Sequence, residues 1–164
     1  MFNALKLITG STLIIASLGA APQALADFKS YPGASCRAAG STQDLYYGSY
    51  SSGAIIANRT DATQTVLCPF VREAVSSPWI NVSVRLRDRH DSEDIYCQAW
   101  AYDPEGESVW ASIGVTTSGE GFETLFLGAA EESSTLGSYV LSCTLPPMQD
   151  ANQPSYIASY TINE

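Results

Sequence analysis

Ile80-Asn81-Val82-Ser83-Val84-Arg85-Leu86-Arg87 alternates apolar and polar side chains without interruption. A two-residue period is that of a β-strand with one buried and one wet face, because successive Cβ atoms leave opposite sides of the pleat. Two segments of the same kind follow. Ile95-Tyr96-Cys97-Gln98-Ala99-Trp100-Ala101-Tyr102 comes after a charged loop, and Val109 to Thr116 comes after a Pro/Gly turn. Placing Arg87 opposite Asp94 as a cross-strand ion pair sets Leu86, Val84, Val82 and Ile80 against Ile95, Cys97, Ala99 and Ala101. That face is apolar and predicts core. The opposite face then pairs Arg85 with Tyr96, Ser83 with Gln98 and Asn81 with Trp100. Setting Tyr102 across from Trp110 places Trp100 beside Ser112 and Gln98 beside Gly114.

Working outward, Phe28 to Ser52 is rich in Gly, Ser, Ala and Tyr and reads as irregular but ordered, with Tyr46, Tyr47 and Tyr50 supplying apolar surface. Ala54 to Ala57 and Thr65 to Cys68 read as a hairpin around the turn-forming Asn58 to Gln64, and Phe70 to Ser77 is ambiguous between Pro69 and Pro78. Further strands are expected at Glu123 to Leu127, at Tyr139 to Leu145, stopped by Pro146-Pro147, and at Ser155 to Ile162. Gly128 to Gly137 reads as a loop. About seven or eight short strands with turn signals between them predict an all-β, antiparallel β-sandwich, with jelly-roll and immunoglobulin-like topologies both open.

The N-terminus reads as an address. Lys6 precedes an interrupted apolar run from Leu7 to Ala21, and Ala24-Leu25-Ala26 has the small-x-small pattern at which a signal peptide is cut. The run is too short and broken for a bilayer span. A signal peptide over residues 1–26 leaves 138 of the 164 residues, Asp27 onward, as a single domain over 27–164 and no membrane anchor. It also removes one of the eight basic residues, leaving seven against 17 acids and a formal charge of −10. An acidic surface of this kind repels phosphate backbones and argues against nucleic acid as a partner.

Cys36, Cys68, Cys97 and Cys143 all follow the leader. An even count in an exported small domain predicts disulfides, and three pairings are possible. The preferred pairs are Cys36–Cys68, tying the Gly/Ser-rich segment to Val66-Leu67-Cys68, and Cys97–Cys143, joining the apolar faces of two strands. Each would close a loop of tens of residues, a constraint of about 3–4 kcal/mol in the chain-entropy account.

The outward face of the central sheet is the candidate binding surface: Tyr96, Trp100, Tyr102 and Trp110 beside Asn81, Arg85 and Gln98. Flat rings flanked by amide and guanidinium donors suit the C–H face and the hydroxyl rim of a sugar. The plainer reading buries these rings under the Tyr46/Tyr47/Tyr50 segment as a second layer of core. A third has the parity inverted, with the tryptophans inside and Cys97 outside.

Catalysis finds no support. There is no G-x-S-x-G elbow, and the one histidine, His90, has no identifiable serine partner. In Asp88-Arg89-His90-Asp91-Ser92-Glu93-Asp94 the acids Asp88, Asp91 and Glu93 offer oxygens to a cation, but they lack the spacing and glycine of a calcium loop, so a charged, solvated hairpin loop is the plainer reading. Asp103-Pro104-Glu105-Gly106-Glu107 reads as turn chemistry. Neither a metal nor a cofactor is expected. Asn58-Arg59-Thr60 and Asn81-Val82-Ser83 match the N-glycosylation sequon.

The runs Tyr31-Pro32-Gly33-Ala34-Ser35-Cys36, Cys68-Pro69-Phe70-Val71-Arg72 and Val84 to His90, with Cys97 and Cys143-Thr144-Leu145-Pro146-Pro147, give a chain that resembles a group of small exported, disulfide-bonded bacterial proteins of unknown function. The resemblance implies a bacterial, secreted or periplasmic domain and carries over no catalytic or binding residue. The functional expectation is therefore a non-catalytic module that binds glycan through its aromatic face. The alternative is a structural or protein-interaction component of the envelope or extracellular matrix, with a hydrolase third.

Overall fold

The computed structural model describes residues 28–40, 45–50, 53–71, 79–131, 137–150 and 153–163. The expected leader and most of the ambiguous segment before Pro78 lie outside these residues. One sheet contains, in spatial order, β10 (Gly121–Glu131), β6 (Trp79–Asp88), β12 (Tyr156–Asn163), β4 (Gly53–Asn58) and β3 (Leu45–Tyr50), with β1 (Phe28–Pro32) also pairing β12. The second contains β2 (Arg37–Ala38), β5 (Gln64–Phe70), β11 (Ser138–Leu145), β7 (Tyr96–Tyr102) and β8 (Ser108–Ala111), with β9 (Val115–Thr116) also on β7. Every pairing is antiparallel.

From β4 onward the chain crosses between sheets at each connection except those joining β7, β8 and β9. The inner four-strand orders β4-β12-β6-β10 and β5-β11-β7-β8 are those of a jelly roll, which settles the topology left open above.

The alternation of the central stretch survives intact. Ile80, Val82, Val84 and Leu86 are buried on the inner face of the first sheet. Ile95, Cys97, Ala99 and Ala101 are buried as well, but they belong to the second. β6 and β7 therefore do not pair, and the expected Arg87–Asp94 register is replaced by pairing of β6 with β10 and β12. The physical reason is that an apolar face is equally well buried by a neighbour alongside or by a sheet opposite, about 10 Å away. Periodicity specifies which face is dry, not what covers it.

Ala54 to Ala57 and Thr65 to Cys68 miss in the same way: β4 pairs with β3 and β5 with β11, so the expected hairpin is an inter-sheet crossover. The Phe28–Ser52 segment contributes strands β1, β2 and β3 instead of irregular chain. Close packing there requires a glycine, since a Cβ at Gly33 would lie 2.0 Å from the Ile157 carbonyl oxygen.

Disulfides join Cys36 to Cys68 and Cys97 to Cys143, the pairing preferred from the sequence. Cys97 and Cys143 are register partners on the inner face of β7 and β11. Tyr31 stacks on Tyr160 with centroids 5.1 Å apart, and the Tyr160 hydroxyl donates to the Pro69 carbonyl at 2.6 Å. Burial, with Tyr31 adding a smaller effect, pushes that hydroxyl's pKa up to about 12.

Candidate functional site

The outer face of β7 presents Tyr96, Gln98, Trp100 and Tyr102 in a single line. Strand geometry sets successive members roughly 7 Å apart. Their cross-strand neighbours on β11 are Thr144, Ser142, Val140 and Ser138, a low and mostly hydroxylated border. Trp100, Gln98 and Tyr102 are half-buried and Tyr96 is 40% exposed. The Tyr96 hydroxyl donates to Gln98 Oε1 at 3.1 Å, and Gln98 Nε2 donates to the Ser112 carbonyl at 2.8 Å.

Tyr96 lies over Gly114, where a Cβ would come within 2.1 Å of the phenol oxygen. The glycine is thus what lets the ring lie down. Ser112 is buried and bridges the gap where β8 gives way to β9: its N–H donates to the Ala99 carbonyl and its Oγ accepts the Ala99 N–H. The residues expected to leave the rings open, Ser112 and Gly114, do serve the β7 face, through these contacts and not as plain cross-strand neighbours of Trp100 and Gln98.

Three members of the expected face lie elsewhere. Trp110 is register partner to Ala101, not Tyr102, and is packed half-buried against the core. An irregularity between Ala101 and Tyr102 shifts the β8 register and turns the indole inward. Asn81 and Arg85 are exposed on the outer face of the opposite sheet, because β6 is not a neighbour of β7. The aromatic line of β7 is not roofed by Tyr46 and Tyr47 either, since β3 is in the first sheet; the Tyr50 side chain lies outside the described set. Parity is not inverted, and Cys97 is inside.

The 88–94 loop is a crossover between sheets and not a hairpin; Asp91 to Asp94 are exposed, as a charged, solvated loop predicts. Asp88 and His90 are buried. Asp88 Oδ1 accepts the His90 N–H at 3.1 Å and the Ser155 hydroxyl at 3.0 Å; Oδ2 accepts the Ile95 N–H at 2.9 Å and the Thr117 hydroxyl. His90 Nδ1 accepts the N–H groups of Ser92 and Glu93, so the neutral ring carries its proton on Nε2. With both Asp88 oxygens engaged by the protein and Asp91 and Glu93 exposed, the three acids do not converge. Among the described residues no group of three or more His, Cys, Asp or Glu is placed to hold a metal.

A second corner residue sits at the same end. Asn58 is fully buried; its amide donates to the carbonyls of Ala62, Leu145 and Pro146, and its Oδ1 accepts the N–H and hydroxyl of Thr60. Asn58 is therefore inaccessible for glycosylation in the folded protein, and its sequon is the signature of a structural turn.

The outer face of the first sheet carries a row that the sequence reading missed. Phe122, Arg87, Tyr156, Ala57 and Tyr46 are successive register partners across β10, β6, β12, β4 and β3. The Arg87 guanidinium lies 4.5 Å from the Phe122 centroid, Phe122 meets Tyr156 edge-on, and Arg59 lies 3.5 Å over Tyr46. No local sequence pattern announces this row, because its members are distant in the chain and align only through strand order.

Sequence comparison finds no matching family profile and no matching curated protein. Solved structures do match in fold. The C-terminal CBM6 of LamC, a marine laminarinase from Zobellia galactanivorans, is 13% identical with a TM-score of 0.53, covering 84% of this chain and 100% of its own. A family 35 carbohydrate-binding module from Clostridium thermocellum is 11% identical with a TM-score of 0.53, covering 84% and 98%. The CBM22-1 xylan-binding domain of Xyn10C from Paenibacillus barcinonensis is 13% identical with a TM-score of 0.52, covering 84% and 94%. This chain shares their β-sandwich architecture. Among the described residues no helix is long and apolar enough to cross a membrane.

Proposed function

We propose that this domain binds polysaccharide through the outer face of β7, with Trp100 as the central platform, Tyr96 and Tyr102 as flanking rings and Gln98 as the polar contact. The observation that carries the reading is the line of aromatic side chains at alternate positions of one strand, left partly open and bordered by small hydroxyl residues. Aromatic faces stack on sugar C–H groups, and adjacent amide and hydroxyl groups satisfy the hydroxyl rim. The fold shared with carbohydrate-binding modules supports it. The aromatic line contains no acid pair placed for hydrolysis, so the reading is one of binding. The exported, disulfide-bonded bacterial setting implied by the sequence is part of the same proposal.

Affinity electrophoresis of the oxidised protein through gels containing laminarin, xylan or galactomannan tests it. Retardation by at least one of these polymers is expected, lost in Trp100→Ala while the thermal melt stays close to wild type. Unretarded wild-type migration in all three gels, or full retardation of Trp100→Ala, rejects the reading in favour of a protein-interaction module.

A further inference from the structure

We infer that the outer face of the first sheet is a separate site for carboxylate-bearing, uronic-acid polysaccharide, built around Arg85 and Arg87. The inference uses none of the β7 residues and stands or falls independently of the reading above.

The chain holds eight basic and 17 acidic residues, so its mean field repels anions. Yet β6 points two arginines outward at alternate positions, roughly 7 Å apart. A third, Arg59, follows the Asn58 corner at the same end of the sheet and lies over Tyr46. The acids of β6 and β10 whose side chains are described do not neutralise them: Asp88 is turned inward and engaged by four donors, and Glu123 is register partner to the buried Leu86 and accepts from Ser118. Among the described residues Arg85 has no ion-pair or hydrogen-bond partner, and it is exposed.

Arg87 is held differently. Its Nε is buried with no acceptor among the described residues, and the guanidinium carbon lies over the Phe122 ring, 4.5 Å from its centroid. A guanidinium held over a ring still has N–H groups for an incoming acceptor, and its planar fork matches a carboxylate. Around the pair the sheet supplies what a sugar needs. Phe122 is 60% and Phe126 75% exposed on β10. Thr124 and Ser159 flank Arg85 as register partners on either side. Rings, hydroxyls and two charges with no acid partner among the described residues thus share one face. A neutral glycan would leave both charges unanswered, whereas a uronate polymer presents carboxylates along a ring-bearing backbone. Charge complementarity therefore selects the anionic occupant.

Isothermal titration with polygalacturonate and with its methyl-esterified form, at 20 mM and 500 mM NaCl, tests the assignment. The ester keeps the backbone and removes the charge. The wild type is expected to bind polygalacturonate at least tenfold more tightly than the ester, with a further loss of tenfold or more at high salt as the charges are screened. Arg85→Ala, an exposed position, should lose tenfold or more with an unchanged melting temperature, and Phe122→Ala should lose several-fold. Trp100→Ala should bind polygalacturonate like wild type, which separates this site from the β7 face. Absence of wild-type binding, equal affinity for the ester, or undiminished binding by Arg85→Ala overturns the inference. Dextran sulfate binding as tight as polygalacturonate and insensitive to Phe122→Ala also overturns it, by showing a mere polyanion effect.

Discussion

Replacing Asp88 by Asn asks whether the corner between β6 and β7 depends on a side chain that only accepts. Two backbone N–H groups, of His90 and Ile95, and two hydroxyls, of Ser155 and Thr117, point at its two oxygens. Asn has the same shape, but whichever way its amide is turned the NH2 meets one backbone N–H. The hydroxyls can rotate to accept; a backbone N–H cannot. The cheaper orientation puts the NH2 beside Ile95, whose N–H keeps the Thr117 hydroxyl as acceptor at 2.9 Å. What is then lost is the charge assistance at His90 and Ser155 and half of the Ile95 contact, roughly 1.5–3 kcal/mol.

Asp88→Ala leaves the His90 N–H without an acceptor and opens a void at a site 1% exposed, which raises the loss to roughly 3–5 kcal/mol. Against a stability of about 5–15 kcal/mol this is a large fraction. Urea unfolding followed by tryptophan fluorescence, with both disulfides intact, measures it directly. The Asn variant should also melt roughly 5–10 °C lower. An Asn variant within about 0.5 kcal/mol of wild type, or an Ala variant no worse than Asn, would refute the acceptor argument.

Asn58→Asp is the mirror image: a carboxylate oxygen would face three carbonyls in a fully buried site. The folded pKa of the introduced acid should rise above the unfolded value of about 3.9, so the variant should be near wild-type stability only below that pH and should weaken as pH climbs to 7, seen in urea midpoints from pH 3.5 to 7. Tyr160, raised to about 12, stabilises the fold fully below the unfolded tyrosine pKa of about 10 and loses that contribution as pH rises through the folded value. The stability gap between wild type and Tyr160→Phe should therefore be constant from pH 7 to 9 and shrink between pH 10 and 11.5; a gap that widens would contradict the burial argument. Gly114→Ala should displace the Tyr96 ring, break its bond to Gln98 and reduce glycan retardation several-fold, at a stability cost below about 1 kcal/mol because the clash is with the free end of a side chain.

All four outward residues of the candidate β7 face were legible before any coordinates. Tyr96, Gln98, Trp100 and Tyr102 lie on one strand, and their common orientation follows from a two-residue period that nothing downstream can alter. Placing Asn81, Arg85 and Trp110 on that face requires strand pairing, and pairing is a long-range property. The first two went to the other sheet because the charged loop is a crossover pinned by Asp88, and the third turned inward through a register irregularity. Neither has a local signature. Asn58 and Asp88 likewise looked like turn and solvent residues, since polarity in a loop does not reveal whether the loop roofs the end of a sandwich.

From the chain alone came the β-rich class, the dry side of each central strand, and cysteines positioned to cross-link those dry sides, because steric alternation and side-chain hydrophobicity act over neighbouring residues. The tertiary structure alone decided which strands became neighbours, and with them the jelly-roll order and the Phe122-to-Tyr46 row across five strands. That choice depends on how two apolar faces are covered at once, an energy shared by the whole sandwich and written in no single segment.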